Sequence, residues 1–124
     1  MGKYSDKIEY SRKDYPEFFK NCIKEIKDKK LTCLECNAEL QGHVSEVAHV
    51  LPKGYFKSVA TDPDNWIPLC GQYSTGQCHT NFDTHSNDEI KKMNIFNTIS
   101  EIFDLLLDRV TEKITYKTYD RYEQ

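Results

Sequence analysis

Two histidines, an asparagine and an aspartate follow one another in an order that suits metal-assisted hydrolysis of a phosphodiester. His49 comes after a β-prone run, Asn65 sixteen residues later, and then His79 beside Cys78, with Asp83 four residues beyond His79. Such a reaction needs a base to activate water and a cation to stabilise charge on the phosphorus centre and the leaving oxygen. His49 is the natural base. If a helix begins near Cys78, His79 and Asp83 point the same way and can share one cation. Imidazole plus carboxylate suits a divalent ion with open positions. Asn65 carries an amide that can orient the histidine segment, and Lys53 or Lys57 can hold a phosphate oxygen.

The chain has five cysteines, an odd number that fits metal ligation better than a set of disulfides. Cys33-Leu34-Glu35-Cys36 is a C-x-x-C, a spacing from which two thiolates reach one tetrahedral ion across a tight turn. The remaining ligands would be Cys70 and Cys78, with seven residues between them and thirty-three between Cys36 and Cys70. Gly71 and Gly76 near the ends of that seven-residue insert suit a bulging loop. One zinc ion on four cysteines is the expectation, against two buried thiols beside an unrelated C-x-x-C. Cys22 lies on an apolar helical stripe and reads as core.

These groups need elements to hold them. Asp14-Tyr15-Pro16-Glu17 offers an N-cap with Pro in the first turn, and Phe18, Phe19, Cys22, Ile23 and Ile26 then recur at helical spacing. Residues 1–13 read as an arm. From Ala38 to Leu51, apolar residues mixed with Gly42, His43 and Ser45 predict short strands or a hairpin, and Trp66, Ile67 and Leu69 predict another extended segment. Ser86-Asn87-Asp88-Glu89 is a capping box that opens a helical pattern through about Val110. The apolar stripe of that helix is broad enough to pack on several elements or to form a homodimer. The tail Ile114-Thr115-Tyr116-Lys117-Thr118-Tyr119 alternates like an edge strand.

Between residues 31 and 85 these features resemble the HNH endonuclease family, in particular members with a four-cysteine zinc. There a histidine-bearing β-hairpin, a middle asparagine and a helix with a final histidine form a ββα-metal motif. The matching residues are Cys33 and Cys36, His49, Asn65 before Leu69-Cys70, and Cys78-His79. The resemblance implies His49 as general base, Asn65 as the orienting residue, His79 as a ligand of a catalytic Mg²⁺, Mn²⁺ or Ni²⁺ ion, and Asp83 as the ligand where some members use a second histidine. It also implies cleavage of DNA to a 3′-hydroxyl and a 5′-phosphate. The chain departs from the pattern at Ala48, where many members carry His or Asp. Glu46 shares a strand face with that position and either replaces the missing ligand or is an exposed strand carboxylate. His85 is a second candidate for the Asp83 role but fits better in the turn before the C-terminal helix. His43 reads as structural or surface. A zinc deaminase would need His-x-Glu, which neither His43 nor His49 begins.

The whole is therefore expected to be α+β, a ββα-metal core with a four-cysteine zinc, flanked by an N-terminal amphipathic helix and a long C-terminal helix. Its 124 residues suit one domain: an arm and helix over 1–30, a zinc-clasped core over 31–85, and a helix with tail over 86–124. A formal charge of −3, from 17 basic and 20 acidic residues, gives no global pull toward nucleic acid, so contact with DNA, or with RNA as the alternative, must rest on local lysines. That charge also suits a non-catalytic module of the same fold. No apolar run is long enough for a bilayer and none resembles a signal peptide at the start, so a cytoplasmic protein is expected.

Overall fold

A computed structural model describes residues 2–71 and 76–124, with side chains from Asp14 onward. It is a mixed α+β chain with a two-stranded antiparallel sheet. Helix α1 (Gly2–Lys29) presents Phe18, Cys22 and Ile26 as one buried row, the i, i+4, i+8 spacing of a single helical face. The opposite face carries the exposed pair Lys24–Asp28, four apart, while a second such pair, Glu25–Lys29, flanks the buried row. The helix ends in a Schellman turn. Lys30 takes a positive φ of 51°, its N–H bonds the Lys27 carbonyl, and the Leu31 N–H reaches back to Ile26. Helix runs upstream to Gly2, so the arm expected over the first residues is helical in 2–13. Pro16, expected in the first turn, sits inside the helix at the expense of one backbone bond.

A knuckle follows, closed by an antiparallel bridge between Thr32 and Glu39 and by the Cys33 N–H on the Ala38 carbonyl at 2.9 Å. Strand β1 (Val47–Ala48) then pairs with β2 (Ile67–Pro68), with Val47 opposite Pro68 and Ala48 opposite Ile67. Both strands are only two residues long. They persist because both faces are covered: Val47 packs with the α1 row, while Ala48 and Ile67 belong to the main core. The pairing is thus between residues 47–48 and 67–68, across an eighteen-residue excursion that holds a short 3₁₀ turn, Lys57–Val59. No hairpin forms within 38–51.

Helix α2 (Cys78–Thr84) starts from Gln77, whose φ of 49° lets the chain turn sharply out of the preceding loop. The capping box holds as expected, with Ser86 and Glu89 bonding reciprocally at the start of α3 (Asn87–Ile90). The single long helix does not form. The chain breaks over 91–95 and resumes as α4 (Phe96–Leu106). The break has a tertiary cause: Glu35 of the knuckle accepts the Ile95 N–H on its carboxylate at 3.0 Å and the Asn94 amide on its backbone carbonyl at 2.9 Å. A carboxylate on the free N–H groups at a helix start is favourable.

The tail is also helical rather than extended. Thr115 caps α5 (Tyr116–Tyr122), and Tyr119 and Tyr122, three apart, both turn onto Phe103 of α4. The Tyr122 ring stacks on Phe103 at 4.9 Å and its hydroxyl donates to the Val50 carbonyl beside β1. Most of the apolar stripe of α4 is therefore covered within the chain by the main core and α5, with Leu105 left exposed. Among the described residues no helix is long and apolar enough to cross a membrane.

Candidate functional site

The four cysteines come together as their spacing suggests. The sulfurs of Cys33, Cys36, Cys70 and Cys78 all lie within 4.8 Å of one another, and Cys36 and Cys70 are 3.8 Å apart. Four ligands about 2.3 Å from a tetrahedral zinc stand about 3.8 Å from each other, so this group can hold a metal ion such as zinc. Backbone amides support it: the Cys36 N–H points at the Cys33 sulfur at 3.5 Å and the Cys78 N–H at the Cys70 sulfur at 3.3 Å. Gly76 leaves the room required, because a Cβ there would come within 3.0 Å of the Cys70 sulfur. Burial pushes the Cys78 thiol up, and the neighbouring Cys70, Cys36 and Cys33 sulfurs push it further. Cys22 stands apart in the α1 row, its thiol pushed up to about 12 by burial and then by Glu25, which makes it an inert core residue.

The second centre is a groove of about 620 Å³ in which His49, Lys53, His79 and Asp83 all take part. His49 follows β1 directly. Its ring stacks on Phe18 at 5.0 Å and meets Phe19 edge-on at 5.8 Å, so α1 forms its wall. The Nε2 atom lies 2.7 Å from the Ala60 carbonyl. A carbonyl only accepts, so Nε2 carries the hydrogen and Nδ1 keeps a lone pair. The imidazole is held below its ordinary pKa by burial first, with the charges of Lys53 and His79 adding to the fall and the Ala60 bond opposing it. It is therefore neutral at pH 7, with the Nδ1 lone pair available.

His79 and Asp83 lie one turn apart on α2. His79 donates from Nδ1 to the Ser45 carbonyl at 2.6 Å, which leaves Nε2 as the free lone pair, 3.4 Å from an Asp83 oxygen. Two ligands about 2.1 Å from an octahedral cation stand about 3 Å apart, close to this separation. Asp83 is well exposed and the imidazole beside it half-buried, so a cation would keep open positions toward solvent.

Asn65 is fully buried and does not line the groove. Its Oδ1 accepts the Leu51 N–H at 2.7 Å, and its Nδ2 donates to the Leu51 and Val59 carbonyls, both at 3.0 Å. The amide thus closes the excursion between the strands and fixes the segment that follows His49. Lys53 reaches over the Tyr15 and Phe19 rings, 5.2 Å from each centroid. Lys57 begins the Lys57–Val59 turn and is not among the groove residues.

Glu46 requires a correction. Its carboxylate is buried and accepts three backbone N–H groups, those of Gln41, Gly42 and His43, at 2.7–2.8 Å. Both oxygens are spent on the turn before β1, so the residue is a backbone anchor rather than a substitute ligand beside Ala48. Among the described residues the four cysteines are the only group of three or more metal-donor side chains gathered closely. His43 caps the Val44–Glu46 turn, and His85 offers its carbonyl to Arg121 at the end of α2.

Sequence reasoning missed the aromatic wall from α1 and the contribution of the tail, whose Arg121 and Tyr122 also line the groove. Thr115 as a cap with Tyr119 and Tyr122 three apart was the available signal. No known family, curated protein or solved structure matches the chain.

Proposed function

We propose that the protein is a metal-dependent, HNH-type endonuclease that hydrolyses DNA phosphodiester bonds, with zinc on Cys33, Cys36, Cys70 and Cys78 as a structural staple. The observation that carries the reading is the convergence of His49, His79 and Asp83 on one groove, from the end of β1 and from α2. The chain order supports it: a base after the first strand, an antiparallel second strand, then a helix with paired ligands, all clasped by the cysteine group.

In this reading His49 Nδ1 removes a proton from water, while the Ala60 carbonyl fixes the ring and stabilises the charge it gains. His79 Nε2 and Asp83 would hold a divalent ion, which supplies Lewis-acid stabilisation of the leaving 3′-oxygen. The Ser45 carbonyl keeps His79 in the ligating tautomer. Asn65 acts at a distance, by fixing the backbone between His49 and Lys53, and Lys53 is placed to meet a phosphate oxygen.

The test is end chemistry. Nicks made in supercoiled plasmid with Mg²⁺, Mn²⁺ or Ni²⁺ should be sealed by DNA ligase, since hydrolysis on this side leaves a 3′-hydroxyl and a 5′-phosphate. Absence of nicking with every ion contradicts the proposal. One observation favours a second reading, a non-catalytic zinc-stabilised module that binds nucleic acid or protein. With Ala48 fully buried and Glu46 committed to backbone, the cation has two side-chain ligands, His79 and Asp83.

A further inference from the structure

The C-terminal tail brings to the groove a cation that the chemistry above does not use. Arg121 of α5 donates from Nη2 to the Phe82 carbonyl at 2.6 Å and from Nη1 to the His85 carbonyl at 3.1 Å. Its guanidinium carbon stands 5.3 Å from the Phe82 ring centroid. Phe82 and His85 bracket Asp83, so Arg121 is fastened to the end of the helix that bears both His79 and Asp83.

A guanidinium has five N–H donors, and only part of that set is engaged by the two carbonyls and the neighbouring Tyr122 hydroxyl. Among the described residues no carboxylate pairs with Arg121. Arg109 shows the opposite arrangement, being tied to both Asp62 and Asp64 on the far end of the loop. Lys53 resembles Arg121: it too makes no ion pair among the described residues, and the Tyr15 and Phe19 rings hold it in place. Both cations line the groove that contains His49. A pre-ordered guanidinium with spare donors loses little freedom on meeting a phosphate, whose oxygens match its fork.

We propose that Arg121 is a substrate-binding residue, gripping a phosphodiester of the bound strand with its free N–H groups, so that α5 forms part of the nucleic-acid groove. The inference rests on the nuclease reading for the identity of the ligand. The competing role is structural, a cap on the carbonyls that end α2. A cap alone predicts no change in the number of phosphate contacts.

The experiment measures binding of labelled duplex DNA by fluorescence anisotropy, on the full chain with its cysteine-bound metal and no added divalent ion. Salt is varied from about 50 to about 200 mM, over which phosphate contacts are read as the slope of log K against log salt. Arg121→Gln, which still offers an N–H to a carbonyl, should reduce that slope by about one, while Arg121→Lys should keep it. A Gln variant with the wild-type slope and melting temperature overturns the proposal. Arginine-directed labelling of the wild type by phenylglyoxal decides the matter even if the Gln variant does not fold: duplex should protect Arg121 and leave Arg109 as it was. Equal labelling of Arg121 with and without duplex also overturns it. Nicking with an unchanged slope would make Arg121 a helix cap only. A slope change without nicking would keep the phosphate site and remove the catalysis. A wild type that binds no duplex removes both.

Discussion

Asn65 bonds both the N–H and the C=O of Leu51, at 2.7 and 3.0 Å, as a paired strand residue would. One buried amide therefore performs the pairing that the short sheet cannot extend to Leu51, and it adds the Val59 carbonyl at 3.0 Å.

Replacing Asn65 by Leu removes that partner and strands three buried backbone groups. Since each costs about 1–3 kcal/mol, a loss of several kcal/mol is expected. Denaturant unfolding of the variant should show it. A loss below about 1 kcal/mol would mean that water or a repacked loop satisfies these groups as well.

Glu46 offers a sharper separation of roles. Glu46→Gln places an NH₂ against N–H groups of Gln41, Gly42 and His43 that need an acceptor. Stability should fall by about 2 kcal/mol or more, because charge-assisted bonds of this kind each contribute about 1.5–3 kcal/mol. Divalent-ion affinity, measured calorimetrically on folded protein, should stay as it was. A drop in that affinity at unchanged stability would restore Glu46 as a ligand.

The tail helix is tested by Tyr122. Tyr122→Phe removes the bond to the Val50 carbonyl and should cost about 1–2 kcal/mol. Tyr122→Ala also empties the space against Phe103 and should cost about 3–5 kcal/mol, as other large aromatic truncations do. Thermal melts of the two variants, compared at their own midpoints, check the order.

The cysteine group predicts that Cys78→Ser lowers bound metal, measured by mass spectrometry of the element, and lowers the melting temperature with it. Cys22→Ser should leave metal content unchanged, since that thiol lies in the α1 row.

What could be read in advance divides along the range of the forces involved. The C-x-x-C of Cys33 and Cys36, the α1 stripe and the Ser86–Glu89 box are local patterns, and each appears where the chain order places it. The break over 91–95 is set by Glu35, roughly sixty positions away in sequence, and propensity alone favours continuing the helix. The same holds for Glu46, whose fate depends on a turn that gathers three amides around it. In the tail, the 114–119 run alternates like an edge strand, but the Thr115 hydroxyl accepts the Thr118 N–H and caps a helix instead. In the groove, the residue types with chemistry were legible, but the Phe18 and Phe19 wall and the Arg121 contact arise only from packing.

His49 carries a pH dependence. Its folded pKa is depressed, so the unfolded chain binds more protons as pH falls through about 6.5. Its contribution to stability is full above that value and is lost as pH drops toward the folded pKa. On the proposed nuclease reading, the same depression keeps His49 neutral, so the acidic limb of a nicking rate profile should fall below about 6.5. A limb above that value would assign the titration to another group.

The central claim is that His49 is the base of a cation-dependent hydrolysis completed by His79 and Asp83. It is tested most directly by single-turnover nicking of supercoiled plasmid with Mg²⁺, Mn²⁺ or Ni²⁺, comparing wild type with His49→Ala and His79→Ala at matched folding and cysteine-bound metal. The account predicts cation-dependent nicking by the wild type, reduced at least about 100-fold when the general base is removed, and a loss in His79→Ala that added cation partly restores. Nicking by His49→Ala at the wild-type rate would contradict it.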